Sequence, residues 1–499
     1  MHAPNSCSLL SVRNRGWRLL PVVMAAFAGS AAPTWAAPVE GRVLADLAAG
    51  PRAPVIILLA DQADLAEAAR MTDASRRGWY VYRTLRDHAE RSQAGVRALL
   101  DRRGAAHRSF WAVSAIATTV DAALLRELAA RPDVRAVESD AETRWLDTRE
   151  IADVTSGSGA GNGYAEWGAD SVGAPAAWAL GYNGEGIVVA SADTGVDWTH
   201  PALTAHYRGW NGVAARHDYS WHDSIHDSVG NPCGNDARAP CDDVDHGTHT
   251  TGIMVGDDGL ENRIGVAPGA RWIACRNMDH GDGRPARYLE CMEFFLAPTD
   301  LAGANPDPDL RPHVINNSWV CPGGEGCAAI TLEDLVENMR ADGIFFVASA
   351  GNAGPGCSTI TDPPAIYRAS FTVGAYDAGG VIAGFSSRGP VLVDDTGRTK
   401  PDLAAPGVGV RSSIPGGGYA SFSGTSMAGP HVAGVVALLW SAHPELARLV
   451  DETRATLSAS AAPVVFVPAV ESCGDLTSDF SPNNTFGRGR VDALRAIQW

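Results

Sequence analysis

Five stretches of this chain are apolar almost without a break: GIVVASAD, RWIACRNM, HVINNSWV, GIFFVASAGN and SFTVGAYD. A strand with one face in water alternates apolar and polar residues, whereas an unbroken run fits a strand covered on both faces. Helical patterns separate the runs, so the expected class is α/β, a parallel sheet flanked by helices. Ligands of such sheets tend to bind beyond the carboxyl ends of the strands. Asp193 closes the first run, and Asn352 follows the fourth. Both are also ordinary turn residues, and an aspartate there is equally suited to capping a helix.

The sheet pattern begins near Trp167, and the chain ahead of it divides into three expected pieces. Residues 1–36 read as a signal peptide, with Arg13, Arg15 and Arg18 ahead of the apolar LLPVVMAAFAG and small residues after it. That stretch is too short to span a bilayer, and no other is long enough. Cleavage is expected after Ala36 or Ala37, giving a secreted chain, extracellular or periplasmic, without a membrane anchor. Residues 37–150 read as a small α+β unit. APVIILLAD, SFWAVSAIATTV and VRAVESD are its strands; YRTLRDHAERSQAGVRALLDRRG, closed by Gly104, and AALLRELAARPDV are its helices. This unit has no constellation of catalytic residue types. Residues 151–166 include TSGSGAGNG, a flexible linker, and 167–499 carry the sheet.

Charge and cysteine content agree with export. From Ile151 onward there are 20 basic against 40 acidic residues, which argues against nucleic acid as a partner. Beyond Cys7 eight cysteines remain, an even count that suggests disulfides in an exported chain. Their short separations favour Cys233–Cys241 and Cys275–Cys291; the other pairings stay open. A zinc site is disfavoured because no C-x-x-C pair occurs. The NNT at Asn483 matches a glycosylation acceptor, a short motif that arises often by chance.

The polar residues at the strand ends suggest a chemistry. His246 opens HGTHTTGIMVG, a helical stretch preceded by Asp245 as a candidate N-cap, with His249 one turn further on. Ser426 lies in SFSGTSMAGPHVAG, among small residues and directly ahead of the apolar VVALLW. A serine hydroxyl needs an adjacent imidazole to take its proton, and the imidazole needs a carboxylate to hold its tautomer. A tetrahedral oxyanion needs preorganised N–H donors, which an asparagine and a helix-N-terminal amide supply. Asp193, His246, Asn352 and Ser426 fit that requirement together. A metal site on His246 and His249 is the alternative, though neither HExxH nor an obvious third ligand is present. Chain order decides among serine hydrolases. The order Ser, acid, His fails because no Asp or Glu lies between Ser426 and His443.

The motifs ADTGVD, HGTHTTG, GVAPGA, VINNSW, ASAGN, AAPG and GTSMAGPHVAG, in this order, resemble the subtilisin family of serine peptidases. WIACRNM, EFFLAPTD and VINNSW look most like its bacillopeptidase F branch. GRGRVDA resembles the start of the family's C-terminal helix, so no appended domain is expected. The resemblance implies a secreted endopeptidase acting on proteins or peptides, made as a prepro-enzyme and expected to be a monomer. It implies that Asp193 orients His246, that His246 is the general base and acid, and that Ser426 is the nucleophile, with Asn352 and the Ser426 amide as oxyanion hole. His249 is then structural. Ser318, Trp319 and Val320 would pair with extended substrate, and Ala350 and Gly351 would line the first specificity pocket. Asp362 falls near the base of that pocket and would favour Arg or Lys there; an exposed or capping Asp362 is the other reading. The 37–150 unit resembles the family's propeptide, an intramolecular chaperone and inhibitor, with self-cleavage expected between about Asp140 and Gly163. No cofactor is implied for the chemistry. Structural calcium is possible, and Asp257, Asp258, Glu261 and Asn262 offer oxygen ligands, although an acidic loop without metal reads equally well.

Overall fold

The computed structural model describes residues 37–144, 165–462, 467 and 469–499. The expected signal peptide, the TSGSGAGNG linker and most of the expected cleavage stretch lie outside the described residues. In the N-terminal part, β1 (Ala53–Leu59), β2 (His107–Phe110), β3 (Ala115–Val120) and β4 (Val134–Ser139) form one antiparallel sheet in the order β2-β3-β1-β4. Two local readings change here. The expected strand SFWAVSAIATTV is a hairpin, because side chains take the N–H groups at its middle. Gln62 Oε1 accepts from Ser114 N at 2.8 Å, and Glu293 Oε1 accepts from Ala112 N at 3.0 Å. The long helix breaks at Gln93 into Ala74–Ser92 and Ala94–Arg103. Gln93 is buried there and donates to Phe110 O at 2.7 Å. Gly104 ends the second helix in the left-handed region, φ 63°, as its position suggests. The short β5 (Thr143–Arg144) follows.

The larger sheet has seven strands: β6 (Val188–Asp193), β7 (Trp221–Asp223), β8 (Arg271–Arg276), β10 (Val314–Asn317), β11 (Phe345–Ser349), β12 (Phe371–Tyr376) and β13 (Leu403–Pro406), with β9 (Asp282–Gly283) outside it. Its order is β13-β12-β11-β10-β6-β8-β7, and every neighbouring pair is parallel. The five apolar runs are β6, β8, β10, β11 and β12. The edge strands β7 and β13, three and four residues long, are too short to show a period. From β6 the chain builds first toward β8 and β7, then toward β10 and beyond. The direction reverses between β6 and β10, where such folds open a crevice. Asp193 and Ser318 stand at the carboxyl ends of those two strands.

One helix, Thr425–Ala442, runs buried through the domain, apolar on all sides. It contains Pro430, which has no N–H to give the carbonyl four residues earlier, that of Ser426. The cysteines pair as Cys233–Cys241, Cys275–Cys291, Cys321–Cys327 and Cys357–Cys473. The first two are the expected bridges. Asn483 is fully buried, donates to Phe480 O and accepts from Thr485 N and Phe486 N, so the folded chain hides this glycosylation motif.

The two parts are docked. Ile56, Leu58, Phe110 and Val113 share one buried apolar cluster with Tyr288, Met292, Phe295, Leu335 and Met339 of the larger domain. Asp140 Oδ1 accepts from Ala286 N at 2.8 Å, at the start of the Pro285–Leu296 helix, where helix geometry leaves N–H groups without a carbonyl. Arg135 reaches Asp334 at 2.6 Å.

Candidate active site

Asp193 is the last residue of β6, and its carboxylate is fixed on three sides. Oδ1 accepts from Thr194 N at 2.8 Å and lies 2.7 Å from His246 Nδ1, while Thr250 Oγ1 reaches Oδ2 at 3.3 Å. Asp193 and His246 are both buried. His246 is the first residue of the His246–Val255 helix. That helix lies close to β6 because Gly247 follows: a Cβ there would fall 2.0 Å from Gly195 O and 3.1 Å from Asp193 Cβ. The expected N-cap, Asp245, is in the left-handed region at φ 77° and makes no side-chain cap. Asp242 holds this end instead. Its Oδ2 accepts from Thr248 N at 2.8 Å and Thr248 Oγ1 at 2.6 Å, and its Oδ1 accepts from Thr194 Oγ1 at 2.8 Å. Thr194 Oγ1 in turn accepts from Gly247 N at 2.9 Å, so Asp242 fastens the strand end to the helix start. Burial pushes the Asp242 carboxyl up to about 6.

Ser426 is the second residue of its helix, where a backbone N–H has no intrahelical acceptor. The carbonyl that Pro430 leaves unclaimed accepts from Ser318 Oγ at 2.7 Å, and Ser426 Oγ donates to Ser318 O at 3.0 Å. Ser318 Oγ also accepts from Asn316 Nδ2 at 2.8 Å. Asn352 is oriented from the same helix start: its Oδ1 accepts from Thr425 N and Thr425 Oγ1, both at 2.9 Å. With the oxygen so used, the amide NH₂ is the end turned the other way. Thr425 Oγ1 also accepts from Gly351 N at 3.2 Å.

The remaining residues of interest separate clearly. His249 is fully buried, stacks on Phe422 at 4.2 Å and contacts Ala420 O through Nε2 at 3.1 Å. Burial lowers its pKa to about 3, so it stays neutral. Trp319 is buried, donates to Ala192 O at 2.8 Å and stacks on Tyr288. Val320 is half-buried, and Ala350 is buried beside Gly351, which has φ 96°. Asp362 is half-buried next to Pro363, whose carbonyl accepts from Cys321 N at 2.6 Å; its carboxylate accepts from Thr361 Oγ1 at 2.9 Å. Burial raises its pKa.

The acidic loop after the histidine helix is largely occupied with itself. Asp258 accepts from Leu260 N, Asn262 N and Asn262 Nδ2, and Asp257 pairs with Arg263 at 3.3 Å. Among the described residues, the group whose ligand atoms converge within 4.8 Å is Asp243, Asp279 and His280 instead. Asp242 and Thr425 were not singled out as site residues by the sequence.

The profile of the Subtilase family (Peptidase_S8) matches residues 184–489, a span that contains every residue of this site. The chain belongs to the subtilase family. It is 44% identical to bacillopeptidase F of Bacillus subtilis (strain 168) over 341 residues, 66% of this chain and 22% of that protein's length. It is 32% identical to subtilisin E of the same organism over 346 residues, 68% of this chain and 74% of that protein. M-protease of Shouchella clausii (strain KSM-K16) is 33% identical over 313 residues, 62% of this chain and 67% of that protein. The parallel seven-stranded sheet flanked by helices is the α/β architecture expected of a subtilase. Among the described residues of this subtilase, no helix is long and apolar enough to cross a membrane.

Proposed function

We propose that this subtilase is a secreted serine endopeptidase that hydrolyses peptide bonds in proteins and matures by cutting itself. The observation that carries the reading is the buried Asp193 Oδ1–His246 Nδ1 contact of 2.7 Å, at the strand end nearest the reversal of the sheet. The carboxylate holds the imidazole in the tautomer whose other nitrogen accepts a proton, and it stabilises the imidazolium that forms. Ser426 Oγ gives its proton to His246 as it attacks the scissile carbonyl, and His246 returns it to the leaving amine. The acyl-enzyme is then hydrolysed by water through the same groups. The direct test is a fluorophosphonate probe followed by peptide mapping. Labelling on Ser426 supports the reading; no labelling of a folded, processed protein, with activity lost only to a chelator, overturns it.

Asn352 Nδ2 and the Ser426 N–H are the proposed oxyanion donors, supported by the Thr425 clamp on Asn352 Oδ1. Asn352→Leu should lower kcat by about 10²–10³ with KM little changed, the scale known for subtilisin. Equal loss through KM alone would assign Asn352 to ground-state binding.

Ser318, Trp319 and Val320 are proposed as the rail along which substrate extends, and Ala350 and Gly351 as the wall of the first pocket. Asp362 is proposed to reach the base of that pocket. Its half-buried carboxylate has no cationic partner among the described residues, which supports a preference for Arg or Lys on the acyl side of the cut bond. Profiling on a peptide library should show that preference, and Asp362→Ser should remove it. Indifference of the wild type to Arg and Lys removes Asp362 from the pocket.

The 37–150 unit is proposed to be the propeptide and inhibitor, supported by its docking on the Pro285–Leu296 and Glu333–Ala341 helices. Its contacts bury carboxyl groups. Desolvation pushes Glu138 and Glu293 up to about 7 and Asp140 up to about 6. Groups raised by docking hold protons in the complex that they release when apart, so docking is strongest below the ordinary carboxyl range and weakens as pH rises through 6–7. After self-cleavage, the two fragments should separate on gel filtration about tenfold more readily at pH 7.5 than at pH 5. Glu293→Gln should flatten that dependence; a complex equally tight at both pH values contradicts it.

A further inference from the structure

β5 leaves the N-terminal domain and pairs antiparallel with β9, Thr143 opposite Gly283 and Arg144 opposite Asp282. β5 also lies close to Gly323–Glu325, inside the Cys321–Cys327 loop. The chain's own tail therefore rests against two segments of the larger domain. The β9 segment leads toward the proposed nucleophile. A Cβ on Gly283 would fall 1.7 Å from the Tyr288 hydroxyl oxygen, Tyr288 stacks on Trp319 at 4.0 Å, and Trp319 follows Ser318, which holds Ser426. An extended segment added to an exposed edge in this way is a general mode of peptide recognition, with main-chain pairing for affinity and side-chain pockets for selectivity.

The side chain just ahead of the paired residues shows what one such pocket takes. Glu142 is 40% exposed and forms an ion pair with Arg287 Nη1, whereas the Arg287 side chain is only 2% exposed. The other fork of the guanidinium is engaged from within its own domain: Nη2 lies 3.1 Å from Asp227 Oδ1 and 3.9 Å from Asp279 Oδ2. Asp227 is shared with Arg284 at 3.0 Å, so two arginines meet two aspartates before Glu142 arrives. Among the described residues, Nη1 has apart from Glu142 only the Asp282 carbonyl at 3.4 Å, and Nε is buried without a hydrogen-bond partner. A buried guanidinium whose outward nitrogen meets mainly a carboxylate from the tail is poorly satisfied when that carboxylate leaves.

We propose that Arg287 forms a substrate subsite for an acidic side chain, at the position directly N-terminal to the residue that pairs with Gly283. This rests on the endopeptidase reading above. Glutamate offers the charge that Nη1 lacks, glutamine offers only a neutral oxygen, and lysine brings a like charge against Arg287. Arg287 is a selectivity residue here and touches no reacting atom.

The test uses the processed wild-type protein and internally quenched peptides that reproduce residues 139–152 of this chain, unchanged or carrying Glu142→Gln or Glu142→Lys. Cleavage at the same bond is confirmed by mass. The unchanged peptide should be cut with kcat/KM about tenfold above Glu142→Gln and further above Glu142→Lys, mostly through KM. Arg287→Gln should bring the three together. Where that variant does not fold, Asp227→Asn serves instead, since removing a competing carboxylate should widen the preference for Glu over Gln. Three equal rates with the wild type overturn the subsite and leave the endopeptidase reading standing. If none of the three is cut and casein is not digested either, the endopeptidase reading fails and the subsite falls with it.

Discussion

Ser426→Ala should leave this chain long and inert: no loss of the 39–150 segment by intact mass, and no digestion of casein. The expected fall in kcat is about 10⁶-fold, the scale known for subtilisin when its nucleophile is removed. The reason is local. Of the two hydroxyls at the N-terminal end of the buried helix, Thr425 Oγ1 is engaged with Asn352 Oδ1, which leaves Ser426 Oγ as the proposed nucleophile, and the other proposed groups hold or stabilise charge. Self-cleavage and casein hydrolysis should fail together if, as proposed, one hydroxyl performs both. The fold should survive, since the lost Oγ bond to Ser318 O leaves the reciprocal bond from Ser318 Oγ to Ser426 O in place. Processing of the variant at the wild-type position would mean that another protease matures the chain. A variant that is processed but inert would keep the nucleophile assignment; wild type and variant both processed and both inert would favour a non-catalytic relative.

Asp193→Asn should cost about 10⁴-fold in kcat while leaving the protein folded, as the equivalent change does in a trypsin-like triad. Asp193 Oδ1 receives both Thr194 N and His246 Nδ1, so an amide whose NH₂ is turned toward His246 gives up the Thr194 bond and favours the opposite imidazole tautomer. That tautomer presents a proton where a lone pair is required. The signature is a loss that eases at high pH, where hydroxide deprotonates the serine without the imidazole, and a normal thermal unfolding midpoint. A fall of less than about tenfold would show that Asp193 is a capping residue after all, the alternative its sequence position allowed.

The parts of this site that were legible in the sequence are those that report through composition or order. Unbroken apolar runs gave away β6, β8, β10, β11 and β12 because parallel strands are covered on both faces, and Asp193, His246, Asn352 and Ser426 stood at their ends or at helix starts. What did not show was support that acts across the chain. Asp242 replaces Asp245 at the helix start because the backbone at Asp245 is left-handed, which no spacing rule announces. The hairpin inside SFWAVSAIATTV depends on Glu293, 181 residues away, taking the N–H of Ala112. The bridge Cys321–Cys327 has the shortest separation of the four, six residues, and was left open beside two longer ones that were expected. Arg287 looked like one arginine among many in an ordinary helix, and only its ion pair with Glu142 of the tail suggests the role proposed for it.

The missing N–H of Pro430 has a consequence for accuracy. By freeing the Ser426 carbonyl for Ser318 Oγ, it lets the proposed attacking residue and the proposed substrate rail share a single reference point. Thermal movement of the helix relative to the sheet would ordinarily appear as an error between hydroxyl and scissile carbonyl. With Ser426 and Ser318 hydrogen-bonded to each other, that error should be reduced to the play in a pair of hydrogen bonds. An alanine at position 430 would restore a competing helical bond and loosen that shared reference. The attack distance would then vary from turnover to turnover, even though every reacting group remained in place.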